Sequence, residues 1–260
     1  MQKTYHCFDW DDNLIFMPTN IVIFNKENDT EEVVLSTENF ASHRGDIGKD
    51  KEFLLLNNKI SENGKGSVRN FKDYIIIGDG EHPTLNSFRE FRDCKEEFFI
   101  KHLKKAIDNK KFGPEWELFL KVTKNSGEAR NVYIVTARGH SAHTIYMGIK
   151  YLKELGLIEN HVPRKNIYPV SHEKFKGNSS NPQSTKLKIL KTVFKEANEL
   201  AKTDQVHHTV YFSDDDLKTI NHLKEKVSRL RLSSINYWKN IHIRLRYTGN
   251  KKIKKELMIL

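Results

Sequence analysis

Two carboxylates spaced two residues apart, Asp9 and Asp11, follow the short apolar run Tyr5-His6-Cys7-Phe8. Alternation along an extended strand puts residues i and i+2 on the same side. At a strand end where the chain turns, one carboxylate can attack an electrophile while the other handles a proton. A bare D-x-D also occurs in solvated turns, so the weight comes from three later positions. Thr136 follows Val132-Tyr133-Ile134-Val135, Lys186 opens a helical stretch, and Ser213-Asp214-Asp215-Asp216 follows Val210-Tyr211-Phe212. In a parallel sheet the strand ends share one edge, where α/β ligand sites form.

The elements that must bring these residues together are legible as alternating patterns. Residues 4–8, 131–135, 166–170 and 208–212 are compact, β-branched or aromatic segments followed by polar residues, as buried strands are. Residues 241–247, Ile-His-Ile-Arg-Leu-Arg-Tyr, alternate strictly and suit an edge strand with one wet face. Between them lie helical patterns over 141–155, with Gly156 as a stop, over 184–201, with Ser184-Thr185 as a cap signal, and over 216–230. Strand–helix–strand alternation predicts an α/β fold, a three-layer doubly wound parallel sheet with helices on both faces.

Residues from about 20 to 125 break this rhythm. Segments 21–24 and 33–36 can pair as a hairpin, Gly64-Lys65-Gly66-Ser67 reads as a link, and Tyr74-Ile75-Ile76-Ile77 is another apolar run. Residues 95–107 and 114–122 look helical, and Phe88, Phe91, Phe98 and Phe99 suit an apolar core of the insertion itself. The loop Lys176–Gln183, rich in Gly, Ser and Asn, reads as mobile.

The 260 residues are 37% hydrophobic and 30% charged, with mean hydropathy −0.65, ordinary for a soluble protein. No apolar run approaches a membrane span and no signal peptide is visible at the start. Cys7 and Cys94 make neither a metal spacing nor a disulfide framework. A reducing, cytoplasmic setting is expected. The formal charge is +10, and residues 186–260 hold 17 Lys/Arg against 8 Asp/Glu, a local +9. That surplus suits an anionic partner, nucleic acid included, or a solvated Lys-rich surface, which its lack of interleaved aromatics favours.

The ordered set Phe8-Asp9-Trp10-Asp11-Asp12-Asn13-Leu14, Val135-Thr136-Ala137-Arg138, Lys186 and Tyr211-Phe212-Ser213-Asp214-Asp215 resembles the haloacid dehalogenase (HAD) superfamily of phosphatases and phosphotransferases. More loosely, the first motif with Met17-Pro18-Thr19 is similar to HAD-type proteins of phage genomes. The resemblance covers residues 1–20 and 125–247. It implies a catalytic core of residues 1–20 and 125–260, a cap insertion over 21–124, and core strands in the spatial order 5-4-1-2-3. It also implies that Asp9 is a nucleophile forming an aspartyl-phosphate and that Asp11 is the acid and base. Mg²⁺ would be held by Asp9, the backbone carbonyl of Asp11, and Asp214, with Asp215 a further ligand or an orienting neighbour. Thr136 would bind a phosphoryl oxygen, Lys186 would offset charge, and Arg138 could touch the substrate. One position departs from the family: Asn13 stands where Thr or Val is usual, and its side chain can still stabilise the turn.

The expected activity is Mg²⁺-dependent hydrolysis of a small phosphorylated metabolite or nucleotide. A 3′/5′ nucleic-acid end phosphatase is the alternative enzyme, and a non-catalytic binding or regulatory module with a basic surface is the alternative of another class. Asp216 reads as an acidic first-turn helix residue. His140 and His143 lack further ligands for a metal site, and Arg44, Arg69, Arg89 and Arg92 each read as structural or exposed.

Overall fold

Five segments rich in β-branched and aromatic residues pair side by side as one parallel sheet. The computed structural model describes residues 2–28, 31–37, 39–40, 44–49, 70–72, 87–93, 98–176, 181–233, 240–249 and 255–259. In chain order they form β1 (Thr4–Phe8), β2 (Asn20–Asn25), β3 (Glu32–Ser36), β4 (Phe71–Lys72), α1 (Phe98–Asp108), α2 (Trp116–Lys124), α3 (Ser126–Ala129) and β5 (Val132–Thr136). Then come α4 (Ala142–Glu154), β6 (Ile167–Pro169), α5 (Glu173–Lys176), α6 (Pro182–Asp204), β7 (His208–Asp214), α7 (Leu217–Ser233), β8 (Ile241–Tyr247) and β9 (Lys255–Ile259).

The main sheet has the order β6-β5-β1-β7-β8-β9. The first five strands are parallel and β9 runs antiparallel to β8. The fold is therefore α/β with a Rossmann-like parallel sheet. The chain runs outward from β1 through β5 to β6, then returns to the other side of β1 as β7. The C-terminal ends of β1 and β7 thus lie side by side where the strand order reverses, the position at which open α/β sheets form ligand crevices.

The two faces of β1 divide the core. Tyr5 and Cys7 join an apolar cluster with Leu187, Leu190, Val193 and Phe194 of α6 and Ile220, Leu223 and Val227 of α7. Phe8, followed by Trp10, joins a second cluster with Phe99 and Leu103 of α1, Trp116 and Phe119 of α2, and Ile145, Ile149 and Leu152 of α4. Helices so placed on both faces supply the three layers that strand–helix alternation predicts. No helix among the described residues is long and apolar enough to cross a membrane.

The chain divides into two compact units, Met1–Met17 with Phe99–Leu260, and Pro18–Phe98. The boundary lies at Phe98 and not at 124 as expected, because α1 and α2 bury their apolar faces against the main sheet. The stripe Phe88, Phe91, Phe98, Phe99 is split accordingly. Phe88 and Phe91 pack with Phe40, Ile21, Ile23 and Leu35 in the second unit, whereas Phe99 belongs to the main core. In the second unit β2 pairs antiparallel with β3, as the hairpin reading predicts, and also with β4. Arg89 pairs there with Glu32 at 2.7 Å. The Gly64–Ser67 link, the run Tyr74–Ile77, Arg69 and Cys94 lie outside the described residues.

Two local expectations change. The cap of α6 is Asn181, whose side chain accepts from the Gln183 N–H at 2.9 Å, with Pro182 opening the helix. Ser184 and Thr185 already lie inside it. β8 is not the edge strand, since β9 covers it, although its alternation holds: Ile241, Ile243 and Leu245 are buried and His242, Arg244 and Arg246 are half-exposed.

Helix α4 approaches α1 closely at Gly148, where an added Cβ would lie 2.5 Å from the Phe99 ring and 3.0 Å from Leu103. Gly148→Ala is expected to destabilise the protein in denaturant melts. Overpacking costs about 1–3 kcal/mol, and the helix-propensity gain returns at most about 1 kcal/mol. A variant more stable than wild type would contradict this packing.

Candidate metal centre

Asp9 lies one residue beyond β1, where its N–H donates to the Ser213 carbonyl at 3.0 Å and so registers the end of β1 against β7. Alternation continues past the strand, so the Asp9 side chain follows Tyr5 and Cys7 toward α6. Lys186, in the second turn of α6, meets it there. Its ammonium donates to Asp214 Oδ2 at 2.7 Å and lies 3.3 Å from Asp9 Oδ1. Asp214 ends β7 and Asp215 follows it. Asp9, Asp214 and Asp215 each offer a carboxylate oxygen, and those atoms all lie within 4.8 Å of one another.

Three carboxylates this close, with Asp9 and Asp214 buried, are costly to ionise together. Burial pushes the Asp9 carboxyl up to about 7; Lys186 opposes the shift, and Asp214 and Asp11 add to it. Asp214 is raised by burial against the pull of Lys186. Asp215 is raised strongly by burial, then by Asp214, Asp9 and Asp12. Burial alone would lower the Lys186 ammonium, but Asp214 and Asp9 outweigh it and hold the lysine protonated. Asp9 Oδ1 is buried without a hydrogen-bond donor. A buried, undonated carboxylate oxygen beside two further carboxylates fits a hard divalent cation such as Mg²⁺, whose preferred ligands are oxygens.

Asp11 does not join this trio. The strand ends at Phe8 and the chain turns, with Asp12 at φ +55°. Both Asp11 oxygens are taken by Arg138, Nε to Oδ2 at 2.8 Å and Nη2 to Oδ1 at 2.6 Å. The Arg138 side chain is 0% exposed, and its guanidinium lies over the Phe99 ring at 5.2 Å. Arg138, expected to touch the substrate, is engaged by Asp11 here: its fork fixes both carboxylate oxygens at once. The Asp11 carbonyl, the expected cation ligand, accepts from the Asn13 N–H at 2.6 Å. Thr136 is buried at the end of β5, and its hydroxyl accepts from the Arg138 N–H at 3.4 Å. Asp216 caps α7, accepting from the Lys218 N–H and the Thr219 hydroxyl.

Asn13 steadies the turn, as its side chain can, while Thr248 and Glu115 escape the motif reading. Asn13 is fully buried; its amide donates to the Asp9 carbonyl and to Ser213 Oγ, each at 3.1 Å, and its Oδ1 accepts from the Thr248 hydroxyl at 2.8 Å. The Thr248 N–H donates to the Asp214 carbonyl at 3.0 Å. The buried Glu115 accepts from the Tyr211 hydroxyl at 2.9 Å and pairs with Arg246 at 3.0 Å, and its N–H donates to the Asn13 carbonyl. The sequence signals Asn13 only by its departure from the family pattern.

No family model, curated protein or solved structure matches the chain.

The raised Asp9 carboxyl has a thermodynamic consequence. In the cation-free protein its proton is held more tightly folded than unfolded. The stabilisation is full below the usual carboxylate range, about pH 4, and is lost as pH rises through about 7. Asp9→Asn is therefore expected to stabilise the cation-free fold relative to wild type more at pH 8 than at pH 5, by urea unfolding. An equal effect at both pH values would show that Asp9 is not strained by ionisation.

Proposed function

We propose that this chain is a Mg²⁺-dependent phosphomonoester hydrolase of the HAD type, acting through an aspartyl-phosphate on a small phosphorylated metabolite or nucleotide. The observation that carries the reading is the meeting of Asp9, Asp214 and Asp215 around Lys186 at the C-terminal ends of β1 and β7. With all three acids ionised the cluster holds one positive group against three negative ones, a deficit that a divalent cation cancels. Asp9, Asp214, Asp215 and the Asp11 carbonyl would hold Mg²⁺, which supplies the positive charge that lets an anionic nucleophile approach a phosphate dianion.

Asp9 attacks phosphorus, and the bond from phosphorus to the leaving oxygen breaks as the aspartyl-phosphate forms. Asp11 gives a proton to that leaving oxygen, then takes one from the water that cleaves the aspartyl-phosphate, so phosphate departs and Asp9 is regenerated. For either transfer Asp11 must release at least one of its two hydrogen bonds from Arg138, which otherwise occupy both carboxylate oxygens. Lys186 holds the Asp9 carboxylate against Asp214 and offsets charge gathering on the phosphoryl oxygens. Thr136, at the end of the neighbouring strand, supplies a hydroxyl for a phosphoryl oxygen.

The direct test is turnover of an aryl phosphate and of a panel of phosphorylated metabolites, nucleotides and 3′/5′-phosphorylated oligonucleotides. Asp9→Asn is expected to lose more than about 10³-fold in kcat while its fold, read by circular dichroism, is kept. Residual activity within about tenfold of wild type would remove Asp9 as the nucleophile. EDTA is expected to silence wild type and added Mg²⁺ to restore it, and full activity after chelation would overturn the metal requirement. A wild-type protein inert on the whole panel would shift the reading to a non-catalytic binding module.

A further inference from the structure

The Thr248–Gly249 segment, just past β8, reaches the backbone of every carboxylate in the trio. Thr248 N–H donates to the Asp214 carbonyl at 3.0 Å. Through its hydroxyl and Asn13 the same residue reaches the Asp9 carbonyl, by a 2.8 Å and then a 3.1 Å hydrogen bond. Gly249 lies so close to the Asp215 carbonyl that an added Cβ would collide with it. Asn13 is 0% exposed, and its orientation is decided by its neighbours: the amide nitrogen faces carbonyl and hydroxyl oxygens, and the amide oxygen faces a hydroxyl that can donate. These contacts tie the ends of β1 and β7 to a third strand at the level of the cluster, and none of them uses a carboxylate oxygen.

We propose that Asn13, Thr248 and Gly249 are positioning residues that fix the spacing of Asp9, Asp214 and Asp215 and thereby set which size of divalent cation the cluster prefers. The proposal rests on the reading of the trio as a cation site. Its physical basis is the difference between two ions. Mg²⁺ demands near-octahedral oxygens at about 2.0–2.1 Å, whereas Ca²⁺ accepts about 2.3–2.6 Å in looser geometry. A braced cluster penalises the larger, more tolerant ion, and a loosened one loses that discrimination. Groups that orient metal ligands without touching the metal commonly alter affinity by about 10–100-fold when removed.

The experiment is calorimetric titration of the full chain with MgCl₂ and with CaCl₂, so the readout is affinity and not turnover. In Thr248→Val, which keeps the side-chain shape and removes the hydroxyl, the Mg²⁺ affinity is expected to fall about tenfold, with Ca²⁺ affinity changed much less. Thr248→Ser restores the donor and is expected to return the Mg²⁺/Ca²⁺ ratio to wild type. Gly249→Ala, which pushes on Asp215 from the other end of the brace, is expected to lower the same ratio. Asn13→Ala removes the central amide and could cost folding outright, so the proposal is judged on Thr248→Val and Gly249→Ala. General destabilisation lowers both affinities together and leaves the ratio in place. A ratio unchanged in both variants, with wild type binding Mg²⁺, sinks the brace alone. No binding of either ion by folded wild type sinks the cation site and the brace with it.

Discussion

Packing three carboxylates into one buried corner is the constraint on which the main unit turns. Each carboxylate taken from water carries a desolvation cost, and like charges at this range raise it further. One lysine is brought in to meet them, from the second turn of α6 and not from a loop, so its ammonium is aimed by a helix that itself buries Leu187, Leu190, Val193 and Phe194. The helix cap at Asn181 and the proline after it fix where that turn begins. The apolar layer between α6 and the sheet thus sets the position of the charge at the strand ends.

The segment after β1 separates two electrostatic tasks within five residues. Asp9 faces the α6 side and shares Lys186 with Asp214, while Trp10 is buried on the opposite side beside Phe99, their ring centroids 5.4 Å apart. Asp11 is then delivered to Arg138, whose guanidinium forks that carboxylate and lies over the same Phe99 ring. The division comes from the turn after β1, which takes Asp11 out of the alternation that would set it beside Asp9. Four carboxylates meeting one lysine would be far harder to ionise than three.

The regular parts of this arrangement were readable in advance, because burial imposes periods on sequence. The five parallel strands and the helices after them follow from runs such as Val132–Val135 and the spacing of Ile145, Ile149 and Leu152. That Asp9, Lys186 and Asp214 can meet at one edge follows from the rule that parallel strand ends share it, but the pairing of Lys186 with Asp214 does not. Periodicity tells that α1 and α2 each have an apolar face but not which surface receives it, so both were expected in the insertion and are found on the main sheet. Partnerships across long sequence gaps leave no period at all. Nothing in Arg138 announces Asp11, and nothing in Thr248 announces Asn13, because each bond is fixed only once the sheet has brought separate strand ends together. The cap of α6 lies earlier than its sequence suggests for a smaller reason: Ser184 and Thr185 are good cap residues, but Asn181 followed by Pro182 starts the helix sooner.

The placement of β1 bears on how the chain acquires its structure. It is the central strand, paired on one flank with β5 and on the other with β7. The whole second unit and three helices are synthesised before the first neighbour exists, and three further helices before the other. Loop closure over such spans is entropically demanding, and topologies dominated by distant pairings fold slowly. β1 therefore stays without a partner until Val132–Thr136 has been synthesised and open on its other flank until His208–Asp214 has, an interval in which an unpaired apolar edge is prone to aggregate.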